Sequence, residues 1–191
     1  LRGDGISFFG APYTRIEQKF EEIKWSPEEA QKGGYAHFMI KEIHEEPMAL
    51  RRTLEHIIRD GLPYFEGAEK LLRKASSIKM VACGTAMHAC LVGKHMIERL
   101  ARIPVSVEIA SEFRYGEQIF SEGSLVILLS QSGETADTVA ALRRAKELGI
   151  PTLAIVNVFG STLAREADEV IYTLAGPEIS VASTKAYSLQ C

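Results

Sequence analysis

A chain of 191 residues that is 46% hydrophobic can bury one substantial core, and its formal net charge of -3 lacks the basic footprint of a nucleic-acid binder. Its longest apolar runs are strand-sized, far short of the ~20 residues a spanning helix needs, and Leu1-Arg2-Gly3-Asp4 does not read as a secretory signal, so no membrane association is expected. Cys83, Cys90 and Cys191, with no Cys-x-x-Cys pair, suit neither a disulfide framework nor a zinc site and point to a reducing, cytoplasmic compartment.

In chain order, Asp4-Gly5 is a turn pair, and Ile6 to Phe9 reads as the second strand of a hairpin whose first strand is almost absent. Tyr13 to Trp25 alternates loosely, and Ser26-Pro27-Glu28-Glu29 has the pattern of a helix start. The texture changes at Gly33-Gly34, where a domain boundary is placed. His37 to His44 is helical in type, and Pro47 is expected to open a second helix with Leu50, Leu54, Ile57 and Ile58 on its buried face. Gly61-Leu62-Pro63 ends it.

A regular alternation follows. Strands are expected at Ile78–Ala82, Val105–Ala110, Leu125–Leu129, Pro151–Val156 and Val170–Leu174. Between them lie a helix from Gly84 to about Arg102, with Ala86, Cys90, Gly93, Ile97 and Leu100 on one stripe, a helix over Glu134–Leu148 and a short one near Leu163. Continuous apolar strands alternating with amphipathic helices imply a parallel sheet covered on both faces. The fold class is therefore α/β: a flavodoxin-like three-layer α/β/α sandwich with a five-stranded parallel sheet, of order 2-1-3-4-5. Ser183–Cys191 reads as a helix cut short, and both ends of the chain read as cuts.

In such a sheet, ligands collect at the carboxyl ends of the first and third strands, where the order reverses. The loops there are Cys83-Gly84-Thr85-Ala86 and Ser130-Gln131-Ser132-Gly133-Glu134-Thr135. The second offers three hydroxyls, an amide and a glycine at a helix start, whose free N–H groups and dipole favour an anion. Without a Walker lysine or a Gly-x-Gly-x-x-Gly run, nucleoside triphosphates and dinucleotides are not expected ligands. The alternative takes Ser132 as only an N-cap and Glu134 as a favourable first-turn acid; cap and anion site share one geometry.

Ser130 to Thr138 resembles the phosphate loop of the sugar isomerase (SIS) domains in the glucosamine-6-phosphate synthase family. Four further stretches resemble that family in the same order: His37 to Pro47, Cys83-Gly84-Thr85, Glu112-Phe113-Arg114-Tyr115, and Gly176 to Ala186. The resemblance covers nearly the whole chain. It implies that residues 1–33 are the end of a glutaminase domain and its linker, and 34–191 a first SIS domain cut short at its C-terminal end. It implies further that fructose 6-phosphate and glucosamine 6-phosphate are the ligands, with Ser130, Gln131, Ser132 and Thr135 on the phosphate. Thr85 and the backbone around Val181 and Ser183 would face the sugar. The first loop of the family usually ends in Ser, where this chain has Ala86, so one hydroxyl worth ~1 kcal/mol is missing. A homodimer through SIS domains and no cofactor are also implied. The catalytic groups are expected in parts this chain lacks, namely the N-terminal glutaminase domain, the second SIS domain and the C-terminal tail, and no residue here reads as the isomerisation base. The rival reading is a non-catalytic SIS module that senses sugar phosphates for a regulator; a flavodoxin-like flavin carrier is a third.

Other side chains read as structural. Cys83 suits a buried thiol better than a nucleophile. His37/His44 and His88/His95 are two turns apart, too far for paired helical metal ligands. Glu42, Glu45 and Glu46 suggest a solvated helix face, and Lys185 is either a surface lysine or one that steers phosphate.

Overall fold

The computed structural model describes residues 7–16, 30–65 and 67–191. The Asp4-Gly5 turn and the helix start at Ser26 lie outside them. The first described strand, β1 (Phe8–Gly10), pairs antiparallel with β2 (Thr14–Ile16), and Tyr13 N–H donates to the Gly10 carbonyl to close the turn. Phe8 and Phe9 thus form the first strand of this hairpin, and the expected pairing across Asp4-Gly5 lies outside the described residues. The partner lies downstream because Gly10-Ala11-Pro12-Tyr13 is itself a turn.

Residues 38–57 form one helix, α1 (Phe38–Ile57), with Pro47 inside it. The expected break does not occur. Proline removes the N–H that would reach the Ile43 carbonyl, but Ile43 and Pro47 both lie on the exposed side, where water can take up that carbonyl. The buried side is also not the expected one: Leu54 and Ile58 are exposed, while Lys41, Glu42, Ala49 and Thr53 are buried. A two-residue hairpin, β3 (Ile58–Arg59) with β4 (Leu62–Pro63), ends the segment. Next comes the short helix α2 (Ala68–Lys74), which sequence reasoning missed.

The remainder follows the expected alternation, apart from the unforeseen α4: β5 (Ser77–Ala82), α3 (Gly84–Leu100), β6 (Val105–Ile109), α4 (Ala110–Tyr115), β7 (Ser124–Ser130), α5 (Ala136–Glu147), β8 (Thr152–Val156), α6 (Thr162–Glu166), β9 (Glu169–Tyr172) and α7 (Lys185–Gln190). Every pairing in the main sheet is parallel, and the strand order β6-β5-β7-β8-β9 is the anticipated 2-1-3-4-5. Ala110 begins α4 instead of ending β6. On the α3 stripe, Leu100 is exposed.

All of β7 is buried. Its side chains alternate between two cores, as a period of two requires. Val126 and Leu128 join Val81, Phe113, Leu142 and Val156 beneath α4, α5 and α6. Leu125, Ile127 and Leu129 join Met80, Ala89, Cys90 and Leu153 beneath α3, and side chains of α2 and α7 pack on this core as well. Burial pushes the Cys90 thiol up to about 12, so at neutral pH it packs as a small apolar group. The three layers are the expected sandwich.

Asp168 pins the start of β9 to the start of β8. Its carboxylate accepts the Thr152 N–H (2.8 Å), the Thr152 hydroxyl (2.7 Å) and a bond from Lys146 Nζ (3.1 Å). Burial pushes the carboxyl up, but the bonds from Thr152 and Lys146 outweigh it and hold it below the ordinary aspartate range. A carboxyl lowered by folding adds stability above its unfolded pKa of about 3.9 and loses that contribution as pH falls through the folded value. Asp168→Asn is therefore expected to be less stable than wild type at neutral pH, with the gap closing below about pH 4. Urea unfolding across a pH series checks this.

Candidate functional site at the carboxyl edge of the sheet

The register pairs Ala82 of β5 with Leu129 of β7, so the loops that follow these strands leave the sheet side by side. Each opens a helix. At the end of β5, α3 begins at Gly84 and carries Thr85 and Ala86 in its first turn, both half-buried. At the end of β7, residues Ser130 to Thr135 lead into α5.

The second loop is braced by its own hydroxyls. Ser130 is buried, and its Oγ accepts the Gly133 N–H (3.0 Å) and lies 3.3 Å from Thr135 Oγ1. Ser132 Oγ accepts the Glu134 N–H (3.2 Å). An accepted bond leaves the hydroxyl proton free, so Ser132 can brace the loop and still donate to an anion, while Ser130 and Thr135 use one proton in their mutual contact and keep the other. The N-cap of α5 is Thr135, and its side chain makes no capping bond. Ser132, expected as a possible cap, serves the turn before the helix instead. The first-turn N–H groups of α5 therefore keep their positive end for something outside the helix.

Glu134 does not face that opening. Its Oε1 accepts the Thr162 N–H at 2.7 Å, capping α6, and this bond from Thr162 holds the carboxyl below the usual glutamate range. The loop is tied to its neighbour twice more, through Asn157 N–H to the Gln131 carbonyl (3.2 Å) and Leu163 N–H to the Gly133 carbonyl (3.0 Å). Asn157, which sequence reasoning passed over, extends the frame: its Nδ2 donates to the Gly176 carbonyl (2.9 Å), and its Oδ1 accepts the Ala175 N–H (2.8 Å).

Residues 173–184 have no regular structure and run from the end of β9, past β8, to α7, which packs against α1 and α3. Val181 and Ser183 lie here. Val181 is fully exposed, and the Ser183 hydroxyl donates to Glu178 Oε2 (2.9 Å), so it is the backbone that this stretch leaves for a ligand. Glu178 Oε1 also accepts the N–H groups of Thr184 (2.9 Å) and Ala186 (3.2 Å). The structure thus has Ser130, Gln131, Ser132 and Thr135 in one loop, Thr85 in the loop that leaves the neighbouring strand, and Val181 and Ser183 on the separate segment that follows β9.

The acidic cluster of α1 overturns its expected reading. Glu42 is only 2% exposed, and its carboxylate accepts the Ile179 N–H (2.6 Å), the Ser180 N–H (3.2 Å) and the Ser180 hydroxyl. Glu45 accepts Lys185 Nζ (2.7 Å) and is 3.4 Å from Lys41 Nζ, and Glu46 accepts the Ser188 hydroxyl. Lys185 is buried and ion-paired, neither on the surface nor free to steer phosphate. These carboxylates face inward because the 179–188 segment presents N–H and O–H donors that need acceptors away from water. A repeating acidic stripe opposite a Ser/Thr-rich segment was the available signal. A cavity of about 590 Å³ opens beside this junction, lined among others by Glu45, Pro47, Arg52, Ala175 and Gly176. Cys83 is partly buried, with Thr138 Oγ1 3.9 Å from its sulfur, and His37, His44, His88 and His95 are exposed.

Residues 71–191 match the family model of the SIS domain. Over its whole length the chain is 50% identical to a glutamine–fructose-6-phosphate aminotransferase (isomerizing) of Clostridium acetobutylicum and 53% identical to one of Caldanaerobacter subterraneus. It covers 32% of each, so it spans about a third of the length of these curated relatives. A solved structure, the C-terminal domain of glucosamine-fructose-6-phosphate aminotransferase from Francisella tularensis, superposes with a TM-score of 0.80 at 45% identity, covering 84% of this chain and 46% of that one.

Gly133 is the tightest point of the loop. Its φ is +67°, and a Cβ there would come within 2.1 Å of Ser161 Oγ and 2.6 Å of Ser161 Cβ. The left-handed conformation alone costs a residue with a side chain roughly 1–2 kcal/mol. Gly133→Ala is expected to lose at least about 1 kcal/mol of stability, more if the clash persists, and to weaken anion binding at the loop. Urea unfolding together with phosphate titration checks both.

Proposed function

The chain belongs to the SIS domain family, and on that premise we propose that it holds the phosphate of a hexose 6-phosphate in the Ser130–Thr135 loop. The observation that carries this is the uncapped start of α5, framed by hydroxyls of which Ser132 and one of the Ser130–Thr135 pair keep a proton to donate, at the place where the strand order reverses. Neutral donors and a helix dipole recognise a phosphate dianion without a lysine. In this reading Ser130, Gln131, Ser132 and Thr135 contact the phosphate, while Thr85 and the backbone at Val181 and Ser183 face the sugar. Ala86 leaves one contact of the family unmade.

The names of the relatives support a finer assignment. The chain is the sugar-phosphate-binding part of an enzyme that converts fructose 6-phosphate and glutamine to glucosamine 6-phosphate and glutamate, the first step of the hexosamine pathway. Residues 34–191 would be its first SIS domain, a reading supported by the way α1 packs on α7. Residues 1–33 would be the end of the glutaminase domain and the linker. The isomerisation needs a base poised between neighbouring carbons, and among the described residues the carboxylates Glu134 and Glu178 are both bonded to backbone N–H groups, so the chain alone is expected to bind ligand without turnover. A cytoplasmic homodimer belongs to the same reading. The outward face of α1, where Ile40, Ile43 and Leu54 are each more than 40% exposed, supports burial against another surface.

Calorimetric titration with fructose 6-phosphate, glucosamine 6-phosphate and unphosphorylated fructose tests the site. The two phosphates are expected to bind and fructose not. A Ser132→Ala/Thr135→Ala variant is expected to lose tenfold or more, because each bond to a charged group contributes about 1.5–3 kcal/mol. Equal binding of fructose, or no effect of the double substitution, would sink the assignment.

A further inference from the structure

Residues 179–183 must hold one shape if their backbone is to meet a ligand, yet no helix or strand fixes them. What does fix them is a side chain from the far end of the sequence. Two successive N–H groups, Ile179 and Ser180, converge on Glu42 Oε1, and the Ser180 hydroxyl reaches Glu42 Oε2. Ser180 Oγ is also 3.1 Å from the Ala182 carbonyl, which carries the contact one step further along the segment. From the other side, Glu178 holds Ser183, Thr184 and Ala186. Val181, between the two anchors, is held by neither and projects into solvent.

A buried carboxylate is a costly way to staple a loop unless the shape of the loop matters, because an apolar contact would serve for packing alone. Successive N–H groups aimed at one point form an anion-binding concavity, and here the chain fills that concavity with its own carboxylate. We propose that Glu42 is the positioning residue of the sugar-facing segment: it touches no ligand, and it sets the backbone of 181–183 against whatever the Ser130–Thr135 loop holds. This deepens the sugar-phosphate reading and rests on it. Glu42 would thereby govern discrimination between a sugar phosphate and bare phosphate, while the phosphate loop governs affinity for both.

The test is titration of the full chain, isotope-labelled, with glucosamine 6-phosphate and separately with inorganic phosphate, following the amide signals of Gly133 and Ser183. In wild type, the sugar phosphate is expected to bind more tightly and to move both signals, and inorganic phosphate to move mainly Gly133. In Glu42→Ala the preference for the sugar phosphate should fall roughly tenfold, the scale on which small misplacements act, with inorganic phosphate affinity unchanged. Glu42→Gln keeps an acceptor for both N–H groups and should restore most of the preference. If Glu42→Ala does not fold, Ser180→Ala removes a single donor and should give a smaller loss in the same ratio. A folded variant that loses both ligands equally, or neither, overturns the proposal while leaving the phosphate site standing. A wild-type chain that binds no sugar phosphate overturns both.

Discussion

The carboxyl edge of this protein is organised by one constraint: β7 is buried along its whole length, so every polar group of its backbone must be paired within the sheet. Parallel neighbours on both sides, β5 and β8, meet that requirement. Parallel strands then deliver their loops to a single edge. Ser130, at the last position of β7, is still paired with Val156 of β8, and the residues after it are the first whose N–H groups leave the ladder. The Ser130–Thr135 loop is thus the place where a tightly satisfied strand gives way to a helix start with no side-chain cap.

A second set of constraints closes the rim. Asn157 joins the loop after β7 to the segment after β9, and α1 joins that segment from outside through Glu42, Glu45, Glu46 and Thr53. The inward face of α1 is polar because its partner is irregular backbone rich in free N–H groups, not because it borders water. Lys185 and Glu45 then meet as a largely buried pair. Such pairs are poor evidence of net stability, since desolvation offsets much of the attraction, but either member left alone would be strongly unfavourable. They specify arrangement more than they add strength.

The sheet was legible because its strands are continuous aliphatic runs, from Leu125 to Leu129 above all, and because helices of the right period separate them. Strand order and both rim loops followed from those runs. The hydroxyl-rich loop from Ser130 to Thr135 was legible because its residues are contiguous. What escaped had its cause at a distance. Pro47 read as a helix start, since nothing nearby reveals that the carbonyl it orphans faces solvent. Leu54 and Ile58 read as a buried face because an apolar stripe is ordinarily the inward one. Glu42 read as solvated because its three donors lie 137 and 138 residues further on. Periodicity reports a helix's own pattern and is silent about a partner supplied by a loop.

That separation has a bearing on how the molecule assembles. Closing a loop costs entropy that grows with its length, and non-local contacts become favourable only after the intervening chain is ordered. The β5-to-β9 units can form largely from near neighbours. The staples between α1 and residues 179–188 span 137 to 142 positions and have nothing to grip until β9 and α7 are in place. The 179–188 segment thus takes its fixed shape from contacts that close late, whereas the Ser130–Thr135 loop is held by bonds between near neighbours.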